Sequence, residues 1–241
     1  MQFNGNDLIF FDIETGGFSA VQDPFIVSVA LKEDDQYIEH TSLEELYDFA
    51  KNGGFNGIIV TYNGENYQGG FDFPFLRTKY ALKRMDFPFR GLQHLDLLPL
   101  IRKYFNTTDY IMSIPSKNSS TMNKKNLSKL AFANGLEYKN INDTYDELLA
   151  LHEEGKCDWL NFAQIKPKED NSLQAVYQLF FDYNAEEEYI PGEAIPELYE
   201  QGDMQSIIRH CCDDVRMLKE VAKFLLPMIP SWDIERNISR L

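Results

Sequence analysis

Apolar runs bounded by Gly, Pro and Asp set the first part of the pattern. Leu8 to Glu14, Phe25 to Leu31 and Tyr37 to Thr41 are rich in β-branched and aromatic residues, which predicts three successive strands. Their short connections make them antiparallel neighbours. Thr41 or Ser42, each with a Glu three residues on, then opens a capped helix with Leu43, Leu46 and Phe49 or Ala50 on one face, ending at Gly53 and Gly54. Gly57 to Asn63 reads as the next strand. After a Gly-rich loop a helix starts near Phe71, with Pro74 tolerable in its first turn. Leu92 to Phe105 suggests a short strand running into a helix, and NLSKLAFANGL a helix stopped by Gly135. Between them, Asn106 to Asn126 is polar and rich in Ser, Asn and Lys, the composition of a mobile loop that carries substrate contacts. TYDELLALHEEG is a helix ending at Gly155. Asp203 to Leu226 is the strongest amphipathic helix, with Ile207, Ile208, Cys211, Val215, Leu218, Ala222 and Leu225 along its apolar face. The pattern is α/β, and we expect one elaborated domain over residues 1–241. The acidic, aromatic segment from Cys157 to Gly202 would be an insertion or cap.

Composition narrows this picture. The chain's 241 residues are 44% hydrophobic and 25% charged, enough to bury a sizeable core. No apolar stretch approaches the roughly 20 residues of a membrane-spanning helix, and MQFNGNDL lacks the basic start and apolar centre of a signal peptide. A soluble, cytoplasmic protein with no membrane partner is expected. Cys157, Cys211 and Cys212 are odd in number, and helix neighbours diverge by about 100°, which suits neither a disulfide framework nor a zinc site.

Charge is uneven. The formal net charge is −15, yet Arg77 to Lys129 holds eleven Lys and Arg against three acids, a balance of +8 that leaves −23 for the rest. Such a stretch is either a solvated surface or an anion-binding wall beside a separate acidic site.

Acids supply the candidate chemistry. Side chains alternate along a strand, so Ile9, Phe11 and Ile13 face one way while Asp12 and Glu14 face the other, as neighbours at the strand's end. Held close in a partly dry site they would repel and raise one pKa unless a cation compensated them, and Mg²⁺ or Mn²⁺ prefers such oxygen ligands. Taken singly the motifs have ordinary readings. Asp12 and Glu14 could be a solvated strand end, Asp72 a helix cap worth about 1 kcal/mol, and His210 with Asp214, four apart on one helix, a surface contact.

Their order carries more. FDIETGG with Asp12 and Glu14, YNGENYQGGFDFPFL with Asp72, and HCCDDVRML with Asp214 resemble the three motifs of the DEDD superfamily of 3′-5′ exonucleases on the ribonuclease H-like fold. HLDLLPLIRKYF, with His94 and Asp96 in supporting positions, and NLSKLAFANGLEYK resemble linking segments of the branch related to the exonuclease domain of family B DNA polymerases. The third motif has His210 where that branch carries Tyr. The loop from Gly64 to Phe71 is longer than usual, so either Asn63 or Asn66 could support the second motif, and Asp213 is an alternative to Asp214.

The resemblance implies a mixed sheet of three antiparallel strands followed by parallel ones, flanked by helices, and two Mg²⁺ or Mn²⁺ ions. Asp12 would bridge both ions, Glu14 and Asp214 would complete one site, and Asp72 would help hold the other. His210, an ordinary general base, would accept or orient the proton of the attacking water. Thr15, Gly16 and Gly17 would let backbone approach the terminal nucleotide or simply form a turn. Arg77, Lys79, Lys83 and Arg84, with Lys117, Lys124, Lys125 and Lys129, could flank an incoming strand. Tyr62, Tyr67, Phe71 and Phe73 could stack on bases or fill core. The expected activity is a metal-dependent 3′-5′ exonuclease on single-stranded DNA, with replication or repair proteins as partners. An RNA exonuclease and a non-catalytic nucleic-acid-binding module are the alternatives. A small-molecule phosphohydrolase is disfavoured because no phosphate-cradling Gly loop is present.

Overall fold

A computed structural model describes the chain except residues 1, 4, 68, 114–121, 155, 157–163, 170 and 182–189; for residues 2, 108–113 and 164–169 it describes the backbone alone. The chain divides into two compact units, Met1–Thr107 with Asn171–Leu241, and Thr108–Asp170. The segment expected as an insertion, 157–202, is therefore shared: 157–170 belongs to the second unit and 171–202 to the first. Gly155, Lys117 and Cys157 lie outside the described residues.

In the first unit, β1 (Gln2–Phe3) and β2 (Asn6–Thr15) form a short hairpin. β3 (Phe25–Leu31) and β4 (Tyr37–His40) follow antiparallel, then α1 (Leu43–Lys51), β5 (Ile58–Thr61), α2 (Asp72–Leu82), β6 (Gln93–Asp96) and α3 (Leu97–Tyr104). The second unit contains β7 (Thr108–Ser113), α4 (Lys124–Ala133), α5 (Ile141–Glu153) and β8 (Gln164–Glu169). The chain returns through α6 (Leu173–Phe181), α7 (Ile195–Gln201), α8 (Met204–Leu225), α9 (Ser231–Asn237) and β9 (Ser239–Arg240).

The main sheet runs β4-β3-β2-β5-β6-β9, with β5 parallel to β2 and β6 parallel to β5. This is the expected mixed sheet. The terminal strand β9, antiparallel to β6, was not anticipated, because two residues carry no periodicity. Ser42 caps α1, its hydroxyl accepting from the Glu45 N–H at 3.2 Å, while a Glu45 carboxylate oxygen accepts the Thr41 N–H at 2.9 Å. Both candidate cap residues are thus used.

β2 is covered on both faces, which explains its nearly unbroken apolar run. Leu8 and Phe10 join Val27, Val29, Leu31, Val60 and Leu95 beneath α8, which contributes Ile207, Cys211, Val215, Leu218 and Ala222. Ile9, Phe11 and Ile13 pack on the other side with α1 and α2, where Phe11 stacks on Phe73 at 5.8 Å between ring centroids. Each such side chain contributes roughly 1.5–3 kcal/mol on burial, so the strand's frame is held rigidly. Asp12 and Glu14 consequently sit on the α8 face.

The second unit corrects the loop expectation. Of Asn106 to Asn126, residues Thr108–Ser113 form a strand paired antiparallel with Gln164–Glu169, and α4 already begins at Lys124 behind the Asn123 cap. The strand was hidden because its partner lies over fifty residues away in sequence. Leu127, Leu130, Tyr145, Leu148 and Met122 give this unit its own small core. No helix among the described residues is long and apolar enough to cross a membrane.

Candidate metal and nuclease site

The site is assembled from three elements of the first unit. β2 ends in Asp12 and Glu14, and the register against β3 shifts between Glu14 and Thr15, a bulge that ends regular pairing where the acids project. α2 supplies Asp72 as its first helical residue. It is not a cap, since Phe71 occupies the cap position. α8 supplies His210 and Asp214, which project from one face at a spacing of four.

The gathered atoms are close. His210 Nε2 lies 3.2 Å from Glu14 Oε1 and 3.8 Å from Asp214 Oδ2. Ligand atoms of Glu14, His210 and Asp214 all fall within 4.8 Å of one another, as do those of Asp12, Glu14 and Cys211. Glu14 belongs to both groups and joins them. The surface-contact reading of His210 and Asp214 fails, because His210 is only 3% exposed.

Burial and crowding raise these carboxyls. Asp12 is pushed up to about 7, chiefly by burial, with the Cys211 thiol and the Ile13 backbone opposing. Burial, then the charges of Asp12, Asp214 and Asp72, hold Glu14 well above the usual range. Asp72 is raised by burial and by Asp12 and Asp96. His210 is lowered to about 4, mainly by burial, opposed by Asp213 and a backbone hydrogen bond with Ile190.

Four carboxylates crowded together, three of them raised by burial and by one another's charge, form an energetically poor cluster unless a cation completes it. Asp72 makes the point most sharply. It is 4% exposed, and its Oδ2 has no hydrogen-bond partner among the described residues. A buried, unsatisfied carboxylate oxygen beside three other acids fits a divalent metal.

Asp96 organises the second motif. Its Oδ1 accepts the Asn63 N–H at 2.9 Å and the Leu98 N–H at 3.0 Å, while its Oδ2 accepts Asn66 Nδ2 at 2.8 Å. Both asparagines therefore support the motif, Asn63 through backbone at φ 67° and Asn66 through its side chain. His94 is farther down β6, its Nε2 2.8 Å from Thr61 Oγ1 and its ring edge-on to Phe73, and burial lowers it to about 4.

Several expectations change. Thr15 Oγ1 donates to the Gly17 carbonyl at 2.7 Å. A Cβ at Gly16 would meet Pro24 Cδ at 2.6 Å, and one at Gly17 would meet Asp23 Oδ2 at 2.5 Å, so the turn's own packing requires both glycines. Lys124 and Lys125 lie in the second unit, exposed on the first turn of α4. Arg77 is paired with Glu65 and Lys83 with Glu44, so part of the basic wall is already engaged by carboxylates. Asp213 turns to Arg216 at 3.4 Å. Phe73 is core, whereas Tyr67 is 83% exposed.

Two residues escaped sequence reasoning. Cys211, assigned to the apolar face, also places Sγ 3.6 Å from Asp12 Oδ2. Phe18 is 92% exposed and lies edge-on to Phe71, the residue before Asp72. An aromatic set in a Gly-bounded polar turn was the available signal for it.

With the geometry in hand, the comparisons are consistent. A model described as the RNase_H superfamily matches residues 9–116, a stretch containing Asp12, Glu14, Asp72, His94 and Asp96 but not His210 or Asp214. The structure superposes on that of the family B DNA polymerase from the hyperthermophilic archaeon Pyrobaculum calidifontis with a TM-score of 0.55 and 16% identity over 92% of this chain. The fold is ribonuclease H-like. This chain spans 25% of the polymerase chain's length. No curated protein matches. In ribonuclease H-like terms, the site lies at the end of the central strand, where β2, α2 and α8 converge.

Proposed function

We propose that the protein is a metal-dependent 3′-5′ exonuclease that hydrolyses terminal phosphodiesters of single-stranded nucleic acid, DNA favoured over RNA. The observation that carries this reading is the convergence of Asp12, Asp72 and Asp214 on Glu14, with an Asp72 Oδ2 that is buried and has no hydrogen-bond partner among the described residues. The ribonuclease H-like fold supports nuclease chemistry, and similarity to part of a family B DNA polymerase agrees with the branch that the motifs resemble.

Asp12, Glu14, Asp72 and Asp214 would hold two divalent ions, Mg²⁺ or Mn²⁺, which supply charge neutralisation at the phosphodiester and activation of water. The chain's own residues do the positioning. Asp96 fixes Asn63 and Asn66, and with them the turn that leads into Asp72. The bulge after Glu14 ends regular strand pairing beside the β2 acids. Phe18 presents an exposed ring face beside Phe71, suited to stacking on a terminal base without reading its identity. Replication or repair proteins are the partner class that such an activity would serve.

The test is a gel assay of 5′-labelled single-stranded DNA and RNA of matched sequence, with free or blocked 3′ ends, in Mg²⁺, Mn²⁺ or EDTA. A metal-dependent ladder from the free 3′ end, absent in Asp12→Ala, is expected, with the DNA arm faster. Intact substrate in every lane, from folded and metal-loaded protein, would replace the exonuclease by a nucleic-acid-binding module.

A further inference from the structure

We infer that His210 is itself a ligand of the metal centre, completing a mixed nitrogen and carboxylate set with Glu14 and Asp214, and that this set favours Mn²⁺ over Mg²⁺. The inference rests on the proposed metal site and goes beyond it by giving His210 a first-hand contact with the ion in place of a general-base role.

Geometry leads to it. A general base must reach a water held at the substrate, but the His210 ring is 3% exposed and its Nε2 faces two carboxylate oxygens, at 3.2 and 3.8 Å. The three ligand atoms lie within 4.8 Å of one another, a span that one cation can bridge. His210 and Asp214 project together because they are one turn apart on α8, while Glu14 arrives from β2, so the set is fixed by two packed elements rather than by a loop. Independently, the buried Asp72 Oδ2 without a partner among the described residues points to a cation in the same cluster.

Donor chemistry then sets selectivity. Mg²⁺ prefers an all-oxygen octahedron and keeps its waters, whereas Mn²⁺, though the weakest binder of its row, is a softer transition ion that accepts an imidazole nitrogen more readily than Mg²⁺ does. Replacing one oxygen donor by nitrogen therefore shifts preference away from Mg²⁺ without excluding it.

The experiment uses the full chain, stripped with EDTA and titrated with Mn²⁺. Free ion is read by continuous-wave EPR and the bound ion by pulsed EPR for modulation from directly bound ¹⁴N. Wild type should show that modulation, and protein grown with ¹⁵N-histidine should show it converted to the ¹⁵N pattern, a test that needs no variant. In His210→Gln, and in His210→Tyr as a second variant, the modulation should vanish. The Mn²⁺ Kd should then rise about tenfold or more, with a smaller change in Mg²⁺ Kd measured by competition. Bound Mn²⁺ without nitrogen modulation in wild type, or modulation persisting in both variants, would overturn the ligand assignment while leaving the carboxylate site standing. Absence of any Mn²⁺ binding that Asp12→Ala abolishes would overturn the metal site and the inference together.

Discussion

The long helix α8 carries two buried ionisable sites, and they are built on opposite principles. Near its middle, Lys219 is 4% exposed, and its ammonium donates to the Lys32 carbonyl at 2.8 Å, the Glu33 carbonyl at 3.0 Å and Asp35 Oδ1 at 2.9 Å. All three of its protons are used. About one and a half and two and a half turns earlier, Asp214 and His210 face Glu14, in a cluster with Asp12 and Asp72 where acids crowd acids and Asp72 Oδ2 is left without a partner among the described residues. A satisfied buried charge serves the fold, whereas a deliberately incomplete one stores instability that a ligand can relieve. Asp233 follows the first principle too, accepting from Lys103 Nζ at 2.5 Å and Tyr104 Oη at 2.7 Å.

The contrast can be broken by substitution. Asp12→Asn should lower turnover on the order of 10³–10⁴-fold, measured as initial rates on a labelled oligonucleotide, while the metal-free protein melts at the same temperature or higher because a repelling charge is gone. A variant that both retains activity and loses stability would place Asp12 on the structural side. Lys219→Met should do the reverse. It takes the ammonium from the Glu33 carbonyl and Asp35, while the Lys32 carbonyl keeps the Asp35 N–H, and it should cost about 1–3 kcal/mol in urea unfolding, with turnover per folded molecule unchanged.

A smaller effect, opposite in sign at the two kinds of site, comes from pH. Asp12 keeps its proton to about 7 when folded, against 3.8 ordinarily, so between those values the folded chain binds more protons and stability falls as pH rises. Asp233 is lowered below 3.8 by the Lys103 and Tyr104 hydrogen bonds, so its contribution is present above 3.8 and is lost as pH falls through its folded value. Relative to Asp12→Asn, EDTA-treated wild type should therefore gain melting temperature as pH is taken from about 7 to about 5, and relative to Asp233→Asn it should lose melting temperature below about 4. A difference from Asp12→Asn that stays constant between about pH 7 and about pH 5 would mean that the folded protein does not hold the Asp12 proton.

Much of this contrast was legible in one sequence because period and caps are local. Phe25 to Leu31 is a strand over the expected residues, α8 at Met204–Leu225 lies within one residue of the expected Asp203 to Leu226, and Asp12, Glu14, Asp72, His210 and Asp214 do converge. What remained hidden depends on distant pairing. β7 is invisible without β8, β9 is too short to show a pattern, and the approach of Cys211 to Asp12 follows from how α8 lies across β2. Gly16 and Gly17 show a subtler gap. Their presence signalled free backbone, but the space beside each is filled by Pro24 and Asp23 of the same turn.

Asp96 ends strand β6, caps α3 through the Leu98 amide and holds the turn at Asn63 and Asn66. Three pieces of chain that meet at one carboxylate cannot open one at a time. The turn leading to Asp72 should thus share the slow amide hydrogen exchange of the central sheet rather than the fast exchange of surface loops, and the Asp72 end of α2 would be as long-lived as the strand it faces.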